Sequence, residues 1–248
     1  MIVFVHGVPE TAALYDNVRS RIGEPSVALE LPGFGCERPA GFGATQADYA
    51  AWLVSELEGF DEPVDLVGHD WGSPLVFHIA TAHGHLVRSW VVDTLAIMSS
   101  TYVWHDFAQI WQTAQVGEEF WAGQLAADLD TRAGIFEAFG VSHDDAVALA
   151  ARIDETMTSC ILDLYRSALP NPRALWPAPL APTMAPGMVL LASQDPFGND
   201  LVNRALAEEL GASVAVLEGL SHFWAVEGPE QAAATIAAFL ERTRRLGD

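Results

Sequence analysis

The chain has 248 residues, half of them hydrophobic, and a formal charge of −21. That length holds one large core, and the apolar half excludes global disorder. With 12 basic residues, all Arg, against 33 acidic ones, no basic run is long enough to neutralise a phosphate backbone, so nucleic acid is excluded as a partner. Two cysteines, Cys36 and Cys160, are too few for a disulfide framework or a cysteine-rich metal site. No apolar stretch reaches the roughly 18 residues that span a bilayer. The opening run Met1 to Gly7 lacks the basic region and cleavage site of a secretory signal. A soluble, cytoplasmic protein without a membrane partner is the expectation.

Short β-branched runs alternate with longer helical patterns. Near-continuous apolar runs predict strands at Ile2–His6, Val27–Leu31, Val64–Gly68, Trp90–Thr94, Met188–Ala192 and Val214–Leu217. Helices are predicted at Thr11–Ile22, Thr45–Leu57, Gly72–His83, Asp200–Leu210 and Pro229–Arg244. This alternation reads as an α/β fold with a mostly parallel sheet of about six strands. It breaks between about Ile97 and Pro186, where a helical pattern rich in Trp, Phe and Met ends in a proline-rich return, Pro170 to Pro186, read as irregular. The expected organisation is a core of residues 1–96 and 187–248 with a helical cap of residues 97–186 inserted between two strands.

The sharpest chemical signal is Gly68-His69-Asp70-Trp71-Gly72, between a strand and a helix with Pro74 in its first turn. A small residue on each side of a central side chain is the pattern of a nucleophile elbow, where larger flanking residues would collide with strand or helix. Here the central group is a carboxylate. It is ionised near neutral pH, needs no base to attack, and can displace a leaving group from an sp³ carbon to give an alkyl ester that water cleaves. A serine would form an inert ether. The competing reading of Asp70, a helix N-cap, is weakened by both glycines and by the partners that follow.

A base for water is available in His222, just after the last strand, and Asp195 follows the preceding strand. The order nucleophile, acid, histidine is that of the α/β-hydrolases, with Asp195 holding the His222 tautomer. Asp93, at the end of the fourth strand, competes as the acid; Asp195 is preferred because Asp93 falls within the apolar alternation of its strand. The other histidines, His69 included, read as structural or solvent-facing, with His105 held open. The first strand ends His6-Gly7-Val8-Pro9, placing the backbone N–H of Val8 beside that of Trp71 as the expected oxyanion pair, with a cis bond admissible before Pro9.

The HGVP loop, the Pro32-Gly33-Phe34-Gly35 turn, the GHDWG elbow, Asp195 and His222 together resemble the α/β-hydrolase superfamily, in its epoxide hydrolase and haloalkane dehalogenase branch with an Asp nucleophile. The resemblance covers essentially the whole chain and is weakest over the inserted helices. It implies an α/β-hydrolase fold, here without the two strands that usually precede the HGxP strand. In epoxide hydrolases, tyrosines of the cap donate to the epoxide oxygen as the ring opens. Leu164-Tyr165-Arg166 resembles one such segment, which makes Tyr165 the implied acid. The other segment, near Asp106–Gln112, has no tyrosine; Tyr102 is nearest, with His105 and Trp111 as further contacts. In dehalogenases, indole or amide N–H groups hold the halide, a role open to Trp71, Trp104, Trp111 or Trp121.

The resemblance therefore implies a hydrolase that opens epoxides to diols through an ester on Asp70, hydrolysed by water activated by His222. Haloalkane dehalogenation with the same triad is the alternative, and a catalytically silent binding protein of this fold is less favoured. No metal or organic cofactor is called for. The aromatic insertion implies a small, apolar organic substrate. The sequence leaves the oligomeric state open.

Overall fold

The computed structural model describes residues 1–176 and 180–247. Six strands form one fully parallel sheet: β1 (Ile2–Val5), β2 (Ser26–Leu29), β3 (Val64–Gly68), β4 (Val87–Val92), β5 (Gly187–Ala192) and β6 (Ser213–Leu217), in the order β2-β1-β3-β4-β5-β6. Every residue of β1, β3 and β5 is buried, which requires cover on both faces and explains their unbroken apolar runs. The edge strand β2 is half-buried along its length. The sequence order reverses direction about β1, so the ends of β1 and β3 meet at a crevice at the centre of the sheet, where open α/β sheets place their ligands.

The predicted helices appear with small differences. Thr11–Ile22 divides into a 3₁₀ turn, Ala12–Tyr15, and an α-helix, Asp16–Ile22, ended by Gly23 in the left-handed region. Gln46–Leu57 starts at a capping box in which Thr45 and Asp48 satisfy each other's backbone donors. Gly72–Ala82, Asp200–Leu210 and Pro229–Gly247 complete the set around the sheet.

Strand β4 is the one clear shift, beginning at Val87 and ending before Asp93. Arg88 and Ser89 hid its start in the sequence. They belong there because Asp65, buried in the middle of β3, accepts from Arg88 Nε (2.9 Å), Ser89 Oγ (2.7 Å) and Arg244 of the last helix (2.9 Å). Burial alone would raise the Asp65 pKa, but these donors hold it below its ordinary value.

Between β4 and β5 the chain forms the helices Asp106–Gln112, Val116–Ala126, Leu129–Glu137, His143–Ala150, Glu155–Ser167 and Pro172–Leu175. The last of these corrects the reading of Pro170 to Pro186 as wholly irregular. Pro172 stands in the first turn, where its missing N–H costs nothing, and Asn171 caps the Ala174 N–H at 3.1 Å. Residues 177–179 of that stretch lie outside the described residues. No helix among the described residues is long and apolar enough to cross a membrane.

Removing one donor from a buried carboxylate should be felt across the sheet. Arg88→Ala is expected to lower unfolding stability by about 1–3 kcal/mol in urea denaturation, the range for hydrogen bonds to charged groups and their loss. The same change at the exposed Arg245 should have no measurable effect.

Candidate active site

The turn from β3 into the helix Gly72–Ala82 is tight enough to dictate its residues. A Cβ on Gly72 would run into the Val5 carbonyl of β1, and one on Gly68 into the Gly72 carbonyl. Asp70, between them, is held at φ +47°, a left-handed backbone that strains a non-glycine residue. Its carboxylate is thereby presented past the strand end, where Oδ1 accepts the Val8 N–H at 2.9 Å. Val8 is positioned by His6, whose Nε2 accepts the Leu31 N–H (3.1 Å), leaving Nδ1 to donate to the Gly7 carbonyl (2.8 Å). The Val8–Pro9 bond is cis. The other expected oxyanion donor, the Trp71 N–H, follows in the same turn but makes no bond to Asp70. Burial pushes the Asp70 pKa up to about 6, against the pull of His222.

His222 and Asp195, read from the ends of successive strands, meet across the site. His222 Nδ1 lies 3.0 Å from Asp195 Oδ2, and its Nε2 faces Asp70 Oδ2 at 3.9 Å. Asp195 is steadied by the Phe197 N–H, which donates to its Oδ1 at 2.8 Å. Burial works to lower the His222 pKa, but the charge of Asp195 and its hydrogen bond outweigh it, and the value is raised. The carboxylate of Asp70 adds to that rise.

Above Asp70 lies a cavity walled by Trp104, Phe107, Trp111, Phe136, Phe139 and Phe197. Tyr165, from the helix Glu155–Ser167, and Tyr102 and His105, from the segment before Asp106, also line it, whereas Trp121 does not. The Tyr165 ring packs edge-on against Trp71 at 5.4 Å. Burial and the Asp70 charge hold both phenols above their ordinary pKa, so each stays a neutral O–H donor, and neither hydroxyl donates a hydrogen bond among the described residues. His105 Nδ1 accepts the Ala108 N–H at 3.3 Å, and burial lowers its pKa to about 4. The indole N–H groups of Trp71, Trp104, Trp111 and Trp121 are buried and unpaired. That of Trp71 points near the Tyr165 hydroxyl without reaching hydrogen-bond geometry.

Residues 2–236 match the family model described as the alpha/beta hydrolase family. The chain belongs to that family. A haloalkane dehalogenase of Mesorhizobium japonicum is 24% identical over 190 residues, which are 75% of this chain and 58% of that protein, so the chain spans just over half the length of this relative. Among solved structures, epoxide hydrolase I of potato, Solanum tuberosum, matches at TM-score 0.79 and 18% identity, over 97% of this chain and 92% of that one. The haloalkane dehalogenase DbeA of Bradyrhizobium elkani matches at TM-score 0.75 and 20% identity, over 99% and 91%. These likenesses show the shared fold.

Asp93 faces a different histidine from Asp195. Its Oδ2 is bonded to His69 Nδ1 and accepts the Trp224 indole N–H (2.7 Å); its Oδ1 accepts from Ser73 Oγ (2.7 Å) and the Asp70 N–H (3.1 Å). His69 Nε2 meets Glu10 Oε1 at 3.0 Å, and Glu10 Oε2 accepts the Gly7 N–H at 3.0 Å. Burial disfavours charge on His69, yet two flanking carboxylates raise its pKa well above normal, making it an imidazolium. The same imidazolium pulls the Asp93 carboxyl far down against its burial. His69 is thus structural, but as a buried ion pair under the elbow. Glu10 went unread in the sequence; its place one residue after Val8-Pro9 was the available signal. Glu10, His69 and His222 bring ligand-type atoms within 4.8 Å of one another, but the Glu10 and His69 atoms are already engaged with each other.

The two acids should separate in experiment. Asp93→Asn leaves a buried imidazolium with half its counter-charge and is expected to cost about 3–5 kcal/mol in chemical denaturation. Asp195→Asn, replacing a carboxylate that meets one histidine and a loop N–H rather than the centre of the ion cluster, should cost far less stability. Equal losses would place the two carboxylates in equivalent structural roles.

Proposed function

We propose that this protein hydrolyses epoxides to diols through a covalent ester on Asp70. The observation that carries the reading is a strained elbow carboxylate facing two phenol hydroxyls free to donate, Tyr165 and Tyr102, in an apolar cavity. Asp70 attacks one epoxide carbon; a C–O ester bond forms as the ring C–O bond breaks. The leaving oxygen takes its proton from Tyr165, with Tyr102 or His105 as a second donor. His222 Nε2 then removes a proton from water, and the resulting hydroxide attacks the Asp70 carboxyl carbon. The Val8 and Trp71 N–H groups stabilise the oxyanion. Collapse expels the diol oxygen, which takes the proton from the imidazolium of His222, and the carboxylic acid left on Asp70 returns its proton to the Tyr165 phenolate, so that both groups regain their starting forms. Residues 97–186 act as the cap on a core of residues 1–96 and 187–248, and Trp111 is part of the substrate wall.

The charges favour this order. Free Asp70 helps keep the proton on His222. Esterification removes that negative charge and lowers the His222 pKa, so more of the imidazole is neutral and free to accept a proton after alkylation, when a base is needed.

A second reading, haloalkane dehalogenation with the same triad, draws support from the unpaired indoles of Trp104 and Trp111 lining the cavity. An anion such as halide would accept from them. Leaving-group chemistry separates the two. An alkoxide leaves as a strong base and gains from a positioned acid, typically about 10²–10⁴ in rate. Halide needs only a donor.

Three outcomes are expected. With an accepted epoxide, His222→Gln should accumulate a substrate-mass adduct on the peptide carrying Asp70, seen by mass spectrometry, while Asp70→Asn should form none. Tyr165→Phe should slow single-turnover alkylation by an epoxide at least tenfold yet barely change alkylation by an alkyl bromide; an equal, mild effect on both would remove Tyr165 as the acid. The alkylation rate should fall as pH drops through about 6, where Asp70 takes up its proton and ceases to be a nucleophile. Stopped-flow pH profiles of the first half-reaction read this directly.

A further inference from the structure

The helix Asp200–Leu210 buries Asn203, Leu206, Ala207 and Leu210, the i, i+3, i+4, i+7 stripe of an amphipathic helix. Its first position is an amide where the pattern calls for a hydrocarbon. Asn203 is 1% exposed and lines the cavity that contains Asp70. Its Oδ1 accepts the Ala96 N–H at 2.6 Å. Because that partner is a donor, the amide can face it only with oxygen, and the NH₂ group must point the other way. Among the described residues, Nδ2 has no hydrogen-bond partner.

A donor that opens onto a largely apolar cavity with no acceptor from the protein calls for one from whatever enters. Serving Ala96 requires only an acceptor. The donor is surplus to that task. Tyr165 packs on Trp71, beside Asp70, whereas Asn203 comes from a different element and is bonded to Ala96, in the segment after β4.

We infer that Asn203 is the specificity-determining donor of the cavity, and that the preferred substrates carry an acceptor oxygen, as ether, hydroxyl or carbonyl, in addition to the leaving group. This rests on the Asp70 ester reading but not on which leaving group departs. A site that places an unpaired donor discriminates strongly against an analogue lacking the acceptor, because the donor is then left unpaired. The purely hydrocarbon substrate suggested by the aromatic walls alone is the poorer match.

The test uses pairs that differ by one oxygen for one methylene. Methyl glycidyl ether is compared with 1,2-epoxypentane, and 2-bromoethyl methyl ether with 1-bromobutane. For each pair the ratio of kcat/KM, ether over hydrocarbon, is measured in the wild type, Asn203→Leu and Asn203→Asp. Leu removes both functions of the amide; ionised Asp keeps an acceptor for the Ala96 N–H and loses the donor while adding a negative charge that an ether oxygen cannot satisfy. The ratio is expected to fall about tenfold in both variants, the factor that one net hydrogen bond of this kind carries. A ratio within twofold of the wild type in either folded variant would overturn the inference. Turnover of the bromides but not the epoxides would sink the epoxide reading, and the bromide pair would then decide the role of Asn203 alone.

Discussion

One imidazolium holds the site together. His69 stands at the end of β3 between Glu10, from the loop after β1, and Asp93, from the end of β4. Burying these charges carries a desolvation cost that only close pairing offsets. Once paired, they fix three strand ends relative to one another. Glu10 passes the constraint to Gly7 and so to the donor Val8, while Asp93 passes it to the Asp70 N–H and to Ser73 in the first turn of the next helix. The strained backbone of Asp70 persists because its surroundings are over-determined in this way.

The same burial that makes the scaffold rigid sets the chemistry. Asp70 is desolvated enough for its pKa to rise to about 6, yet still ionises near neutrality because His222 lies close by. A poorly hydrated carboxylate is a stronger nucleophile than one in water, and its partner is a base whose proton affinity depends on the charge it faces. Coupling of this kind makes the nucleophile and the base a single device: neutralising one changes the readiness of the other.

The inserted helices contribute something different, a largely apolar chamber with a surplus of donors. Phenol, indole, imidazole and amide N–H or O–H groups converge on it from different elements, and several have no acceptor in the protein. In an apolar environment such groups are paired or they are costly. Their excess suits a ligand that brings its own acceptors, whether a departing oxygen, a halide or a second polar substituent. In the proposed reaction the chamber governs which bond is broken and what is attached to it, while the elbow, His222 and Asp195 carry the attack and the hydrolysis.

Much of this was legible in the chain. Continuous apolar runs marked the buried strands because both faces of a parallel sheet are covered, and two glycines around Asp70 marked the elbow because the turn leaves no room for a Cβ. The order of Asp70, Asp195 and His222 after successive strands followed from the same pattern. The start of β4 was hidden because Arg88 and Ser89 are explained only by Asp65 on the neighbouring strand. The roles of Glu10, His69 and Asp93 were hidden because their pairing joins residues far apart in sequence. Asn203 broke an apolar stripe, but which way its amide points depends on Ala96. The sequence by itself determined the elements, the sheet and which side chains would gather at the elbow, since these depend on local spacing and side-chain chemistry. Only the tertiary structure decided which acid serves which histidine, which donors are left unpaired and how far burial shifts each charge, because those depend on distances between elements that no local pattern encodes.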